Sequence, residues 1–365
     1  MTFADSLVIG GGPAGILTIA SCLEYFPSDH RILWVDPAFK CGYLSMLDNV
    51  PSVNHFASIK PLVFKKGSKL TQLMDGLHED EFYHLSRYKE IFLELQNELL
   101  VAFPSRIVMK QSLISKLEYN SGEDLWTAKI GDGDDVFCKN VFIASGSHPK
   151  VDIAGFIPPC ASIPLEVPLN EGPELNEFIT SSDIVAVVGS SHSAALSLRN
   201  LYSLPIKPLQ IIHIRNRPFL MAIESPDKDV IVNDNLGLKG KVAEWISEFY
   251  VRSSLYPPMK ILEYDECTFD AAFFKKNGIT KCILAIGYER NSLPNIYIDG
   301  TELNPVSIFS ECHTANLNAG CAKIPRVYGA GIAFPQKIYT KEGSTELNIG
   351  IWKFAKQLKE TFKNM

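Results

Sequence analysis

The chain has 365 residues, which at roughly 150 residues per domain points to about two domains. Hydrophobic residues make up 46% and charged residues 21%, enough apolar material for packed cores, so whole-chain disorder is excluded. A formal charge of −6, from 35 basic and 41 acidic residues, excludes a polybasic nucleic-acid binder, and no run of about 18 apolar residues offers a membrane span.

At the N-terminus, Asp5 stands where a signal peptide would carry a basic residue, and glycines and a proline interrupt the apolar run from Leu7 to Ala20. The apolar strand Leu7-Val8-Ile9 runs straight into Gly10-Gly11-Gly12-Pro13-Ala14-Gly15. A helical pattern follows (Ile16, Leu17, Ile19, Ala20, Leu23, Phe26), and then a second strand, Arg31 to Val35, ending at Asp36 and Pro37. This is the strand, G-x-G-x-x-G, helix, strand, acid order of a dinucleotide-binding unit. Gly10 makes the turn, Gly12 lets a diphosphate approach the backbone, and Gly15 brings the helix close to the sheet. Pro13 fits the first helical turn, whose free N–H groups face phosphate. Asp36, 21 residues after Gly15, has the spacing of an acid that holds a ribose hydroxyl.

Asp80 to Phe103 reads as a long amphipathic helix with a core-facing stripe of Phe82, Leu85, Ile91, Phe92, Leu95, Leu99 and Leu100. From Ile107 to Phe142 the pattern becomes short alternating strands, with turns at Asn120-Ser121-Gly122 and Gly131-Asp132-Gly133. The last of them ends in Ala144-Ser145-Gly146.

A near-repeat begins at the strand Ile184 to Val188, followed by Gly189-Ser190-Ser191-His192-Ser193-Ala194, a helix to Leu204, and a strand from Leu209 to Ile214 ending at Arg215, with Arg217 beyond. Gly10 to Asp36 and Gly189 to Arg215 are both 26 residues apart. An arginine in place of the acid can pair with a 2′-phosphate, so the second unit tilts toward NADP. Ser191 narrows the phosphate approach relative to glycine, which leaves open a unit that keeps the fold without the nucleotide. Gly189 to Ser193 also sketches a nucleophile elbow with Ser191 as nucleophile and His213 or His313 downstream, but Ser193 replaces the glycine that such a sharp turn needs.

Lys281 to Ala285 ends in Ile286-Gly287-Tyr288, matching the earlier A-x-G strand end. A third glycine-rich strand end, Val327-Tyr328-Gly329-Ala330-Gly331, precedes a helix expected from Thr345 to Phe362, capped by Ser344, whose N-terminus would stabilise a reduced flavin. The eight cysteines form no C-x-x-C pair, so they read as free thiols in a reducing, cytoplasmic compartment, and no metal site is expected.

Together, GGGPAG at 10–15 with Asp36, IASG at 143–146, VVGSSHSA at 187–194, LAIGYERNSLP at 284–294 and VYGAGIAFP at 327–335 resemble the two-dinucleotide-binding-domain flavoproteins. These comprise the pyridine-nucleotide-disulfide oxidoreductases and the flavin-containing and N-hydroxylating monooxygenases. The resemblance implies an α/β fold of two Rossmann-like domains with a β-meander in the first. It places an FAD-binding part at 1–160, an inserted NAD(P)H-binding domain at 161–295 and an FAD-binding completion at 296–365. FAD would lie against Gly10, Gly12, Pro13, Ala14, Gly15, Asp36, Pro37, Ser145, Gly146 and Gly331. NADPH would lie against Gly189, Ser190, Ser191, His192, Ser193, Arg215, Arg217 and Gly287.

The loop from Gly42 to Asn54 should pass the flavin, offering Asn49, Ser52, Asn54 and His55; Gln336, Lys337 and Tyr339 are further candidates, with Asn54, His55 and Gln336 the candidate catalytic residues. Cys41 has no partner cysteine nearby and Ile332 replaces the acid many relatives place near the flavin. The expectation is an FAD-dependent, NADPH-linked oxidoreductase, monooxygenase-like, acting on a small organic substrate, with no nucleic-acid partner. Alternatives are a flavin-binding regulator without turnover, a disulfide reductase-like enzyme and a serine hydrolase.

Overall fold

A computed structural model describes residues 2–53, 77–78, 81–131, 133–153, 156, 158–224, 231–234, 236–250, 257, 259–264, 269–310, 315–320, 322–339 and 345–365. In chain order the elements that position the site begin with β1 (Thr2–Ile9), α1 (Pro13–Tyr25), β2 (Ile32–Asp36), α2 (Leu85–Ala102) and β3 (Ile107–Gln111). The strands β4 (Ile114–Asn120), β5 (Leu125–Ile130) and β6 (Asp134–Ile143) follow. A second group is β7 (Ile184–Val188), α3 (His192–Ser203), β8 (Gln210–Arg215), β9 (Met259–Glu263) and β10 (Lys281–Leu284). The chain closes with β11 (Ala322–Gly329) and α4 (Ile351–Lys363).

The first sheet is parallel at its centre, in the order β3-β2-β1-β6-β11. Strand β6 changes partner along its length. Its first half pairs antiparallel with β5 in a β4-β5-β6 meander, and its last three residues pair in parallel with β11. Alternation along β1 separates two cores. Val8 joins Trp34 and Phe142 under Ile16, Ile19, Ile91, Phe92, Leu358 and Phe362 of the three helices. Leu7, on the opposite face, joins Leu33, Val35 and Val141 against Leu117, Trp126 and Ala128 of the meander. Each fully buried Leu, Ile or Phe there stabilises the fold by roughly 1.5–3 kcal/mol relative to exposure.

The second sheet is wholly parallel, in the order β9-β8-β7-β10, with the two-residue strand Ala161–Ser162 on the β10 edge. Its central strand IVAVV is buried throughout its last four residues, which is why it reads as an unbroken apolar run. The chain crosses between the sheets twice, and the crossings pair antiparallel, Ser147–Pro149 with Tyr288–Arg290.

Three expectations are corrected. Strand Ile107–Gln111 belongs to the parallel sheet, pairing with β2, because alternation of apolar residues does not encode the partner's direction. Helix α2 starts at Leu85, leaving Phe82 outside it. The C-terminal helix starts at Ile351 because Thr345–Asn348 pairs as a strand with Gln336–Tyr339; Ser344 lies outside the described residues.

Candidate functional site

The two glycine turns have the same construction. Gly10 donates its N–H to Val35 O, and Gly189 donates to Ile214 O, both with φ in the left-handed range at +117° and +145°. A Cβ on Gly10 would stand 2.2 Å from Ala144 O, and one on Gly189 would stand 2.3 Å from Ala285 O. Those alanines belong to the two A-x-G strand ends, so each turn folds against its own A-x-G segment. A second correspondence was not anticipated. Trp34 Nε1 donates to Gly10 O at 2.8 Å, and His213 Nε2 bonds Gly189 O at 2.7 Å. Both rings lie 24 residues after their glycine. Aligning the two units in sequence would have revealed them.

In the first turn, Pro13 opens α1, and no side chain caps the helix, so its first N–H groups are left for a ligand. Gly15 is required for a reason other than sheet contact, since its Cβ would collide with Gly10 O at 1.9 Å. At Gly12 an added Cβ would meet, among the described residues, only the backbone of Gly42 and Cys41, at 3.8 Å and beyond. Gly331, at φ +75°, closes on Ala14, where a Cβ would come within 2.5 Å of the alanine methyl. Ser145 Oγ is buried with no partner among the described residues, and Gly146 beside it has φ +74°. Asn291 fixes this loop, donating from Nδ2 to Ser145 O at 2.7 Å and from its backbone N–H to Gly146 O at 3.1 Å. Asp36 accepts from Gly11 N at 2.6 Å on one oxygen and from Ala38 N and Phe39 N, at 2.8 and 2.6 Å, on the other. Its carboxylate therefore shapes the loop, and Pro37, exposed, follows it.

In the second turn, Ser191 is the N-cap of α3 but makes no side-chain cap bond, leaving the helix N–H groups open as at Gly12. Ser190 Oγ donates to Asn216 Oδ1 at 2.9 Å, close to Arg215. Arg215 donates to Tyr250 OH and to Glu263 Oε1, both at 3.2 Å, while its Nε and the Nη1 of Arg217 are buried without a partner among the described residues. Orphaned guanidinium donors at a strand's carboxyl end fit an anionic ligand such as a 2′-phosphate. His192 sits beside Lys239 O, and burial drops its pKa to about 4. Gly287, at φ +96°, has open space around it.

Of the two histidines open to the nucleophile-elbow alternative, His213 is committed to other partners. His213 is fully buried, holds Gly189 O with one nitrogen and Tyr250 OH with the other, and burial lowers its pKa to about 4. His313 lies outside the described residues, as do Asn54 and His55. The described part of the post-acid loop runs from the first turn to the second unit. Gly42 abuts Gly12, Tyr43 reaches Glu166 and Tyr288, and Asn49 is tied to Asn170 and Glu171. Gln336 is half-buried and pairs with Asn348. Lys337 is exposed, and Tyr339 ends the same strand.

The Cys41 thiol is buried and pushed up to about 12, which suits packing rather than thiolate chemistry. Cys160 and Cys282 come within reach of each other, although the register sets Cys282 opposite Ser162. No cluster of metal-ligating side chains occurs among the described residues. Cavities of about 300 and 330 Å³ occur elsewhere, and neither is lined by a residue of the two turns.

The fold is the α/β arrangement of two Rossmann-like domains, with a β-meander in the first, that the motifs led one to expect. Among solved structures the chain is similar to L-lysine 6-monooxygenase from Pseudomonas syringae (TM-score 0.62, 12% identity, covering 99% of this chain and 98% of that one). It is similar to the Kutzneria sp. 744 ornithine N-hydroxylase, a structure holding reduced FAD, NADP+ and L-ornithine (TM-score 0.61, 13% identity, 99% and 98% covered). The bacillithiol disulfide reductase of Staphylococcus aureus shares the fold at TM-score 0.58 and 12% identity, with 100% and 98% covered. By sequence, the monooxygenase AgnR1 of Paecilomyces divaricatus is 27% identical over 384 residues, covering 97% of this chain and 96% of its own. No protein-family model matches the chain.

Proposed function

We propose that the chain is an FAD-dependent, NADPH-linked oxidoreductase of the monooxygenase type, acting on a small organic substrate. The observation that carries this is the duplicated turn: Gly10 and Gly189 fold alike against their A-x-G segments, one turn followed by an acid and the other by arginines with buried nitrogens that have no partner among the described residues. FAD fits the first. Among the described residues only backbone comes near Gly12, α1 presents uncapped N–H groups, Asp36 keeps a lone pair for a ribose hydroxyl, and Ser145 Oγ has no partner. NADPH fits the second, with α3 for the diphosphate and Arg215 and Arg217 for the 2′-phosphate.

Bound FAD would supply two-electron redox chemistry, taking hydride from NADPH and passing electrons to oxygen or an organic acceptor. The protein's part is position, electrostatics and exclusion of water. The division at 1–160, 161–295 and 296–365 accords with the two sheets. A cytoplasmic setting accords with the free thiols of Cys22, Cys41, Cys138, Cys160 and Cys282. Among the described residues no helix is long and apolar enough to cross a membrane. The monooxygenase type is favoured over disulfide reduction by the whole-length relative and by the burial of Cys41. Adding NADPH anaerobically should bleach the flavin bands, and readmitting air should restore them with oxygen uptake; a flavin that NADPH leaves oxidised would remove this reading.

A further inference from the structure

Between the first turn and the start of α3 runs a chain of contacts built on Tyr43, Tyr288 and Glu166, none of which carries a cofactor assignment. Gly42 packs on Gly12, the open position of the first turn, with a Cβ on Gly42 falling 3.3 Å from Gly12 Cα. The next residue, Tyr43, donates its hydroxyl to Glu166 at 3.4 Å and stands edge-on to Tyr288, ring centroids 5.8 Å apart at 76°. The Tyr288 ring packs against the apolar cluster that holds Ala194 and Ala195 of α3, and its hydroxyl neighbours those of Tyr43 and Ser193, the latter in the first turn of α3. The path therefore runs from Gly12 through Gly42, Tyr43 and Tyr288 to Ser193. It joins the loop that covers one glycine turn to the helix start that forms the other.

Burial raises the pKa of both phenols, and Tyr43 is raised further by Tyr288 and Glu166, so both stay protonated and can bridge oxygens at neutral pH. Open α/β sheets bind ligands outside the carboxyl ends of their strands. Two redox carriers held by separate sheets exchange hydride only when their reactive atoms are held close and in line, and small misplacements are costly.

Building on the function proposed above, we infer that Tyr288 is a positioning residue for hydride transfer: through its hydroxyl it fixes the 42–46 loop of the first unit against α3 of the second. It meets the second turn only through Ser193, in the first turn of α3, so it governs the alignment of the two units more than the affinity for either nucleotide. Tyr43 and Ser193 are its partners in the same chain, and Glu166 anchors Tyr43.

The test is Tyr288→Phe, with Tyr43→Phe and the double variant beside it. In the flavin-free protein, amide exchange across residues 42–46 should rise severalfold in Tyr288→Phe while the thermal midpoint barely moves. In the FAD-loaded protein, the limiting rate of anaerobic flavin reduction should fall at least about tenfold, with the NADPH dissociation constant changed less than about twofold. The double variant should be no slower than the slower single one, because the hydroxyls act in one chain. A wild-type flavin that NADPH reduces, together with an unchanged limiting rate and unchanged exchange in Tyr288→Phe, overturns the inference and leaves the functional reading standing. A wild-type protein that holds no FAD, or whose FAD NADPH does not reduce, removes that reading and the inference with it.

Discussion

On the proposed function, Arg215 is the residue that sets the nucleotide preference. Its Nε is buried without a partner among the described residues, and its remaining bonds go to Tyr250 and to Glu263, whose side chain is 70% exposed. A 2′-phosphate would meet a guanidinium already held in place, and a charge-assisted pair of this kind contributes about 1.5–3 kcal/mol. Arg215→Ala should therefore weaken NADPH binding roughly ten- to a hundredfold by fluorescence titration, with NADH nearly unaffected; equal losses for both would show that the arginine holds no phosphate. His213 carries a second prediction, this time about pH. Its pKa is lowered from 6.5 to about 4 by burial, so the unfolded chain binds a proton the folded one refuses. Stability should thus be at its full value above pH 6.5 and decline as pH falls toward 4, by up to about 3 kcal/mol from this residue. Denaturant titrations at pH 4.5 and 7 would show a smaller difference in His213→Asn than in the wild type, and an identical difference would rule the histidine out as its source.

At the scale of elements, the glycine turns were legible because their chemistry is local. A strand end, a turn that excludes Cβ atoms and a helix start all lie within ten residues of one another in each unit. Strand β7 and helix α3 were legible for the same reason, from an apolar run and from Pro205 behind the helix. What could not be read was pairing between distant segments. Ile107–Gln111 looked like the first strand of the meander but lies beside β2, and Thr345–Asn348 looked like the first turn of a helix but completes a hairpin with Gln336–Tyr339. The ties through Asn291 to Ser145, and through Tyr43 to Glu166, span 146 and 123 residues and leave no local trace. The shared construction also makes the two turns equally intolerant. Gly10→Ala and Gly189→Ala each push a methyl into a backbone carbonyl, at 2.2 and 2.3 Å, in a conformation that L-residues avoid. Each should cost on the order of 2 kcal/mol or more in chemical denaturation. The first should also abolish FAD retention, whereas the second should leave FAD bound and remove reduction by NADPH; an alanine tolerated at either position without these losses would mean the turn is not built as described.

For the whole molecule, the two sheets are joined by the paired crossings Ser147–Pro149 and Tyr288–Arg290, and Arg290 ties that crossing to the first sheet. The Arg290 guanidinium donates to Ile308 O at 2.8 Å and Pro305 O at 2.7 Å. Asp234 adds a tie between the second unit and α4, pairing with Lys239 and, at 2.7 Å, with Lys353. The proposed chemistry depends on the first turn holding a flavin. The most direct test is the cofactor content of the purified chain, read as the flavin absorption bands and as the mass of the intact complex under native conditions. One FAD per chain, lost in a Gly10→Ala variant and retained in Gly189→Ala, is the result expected. A colourless chain whose native mass does not change when FAD is added would contradict it.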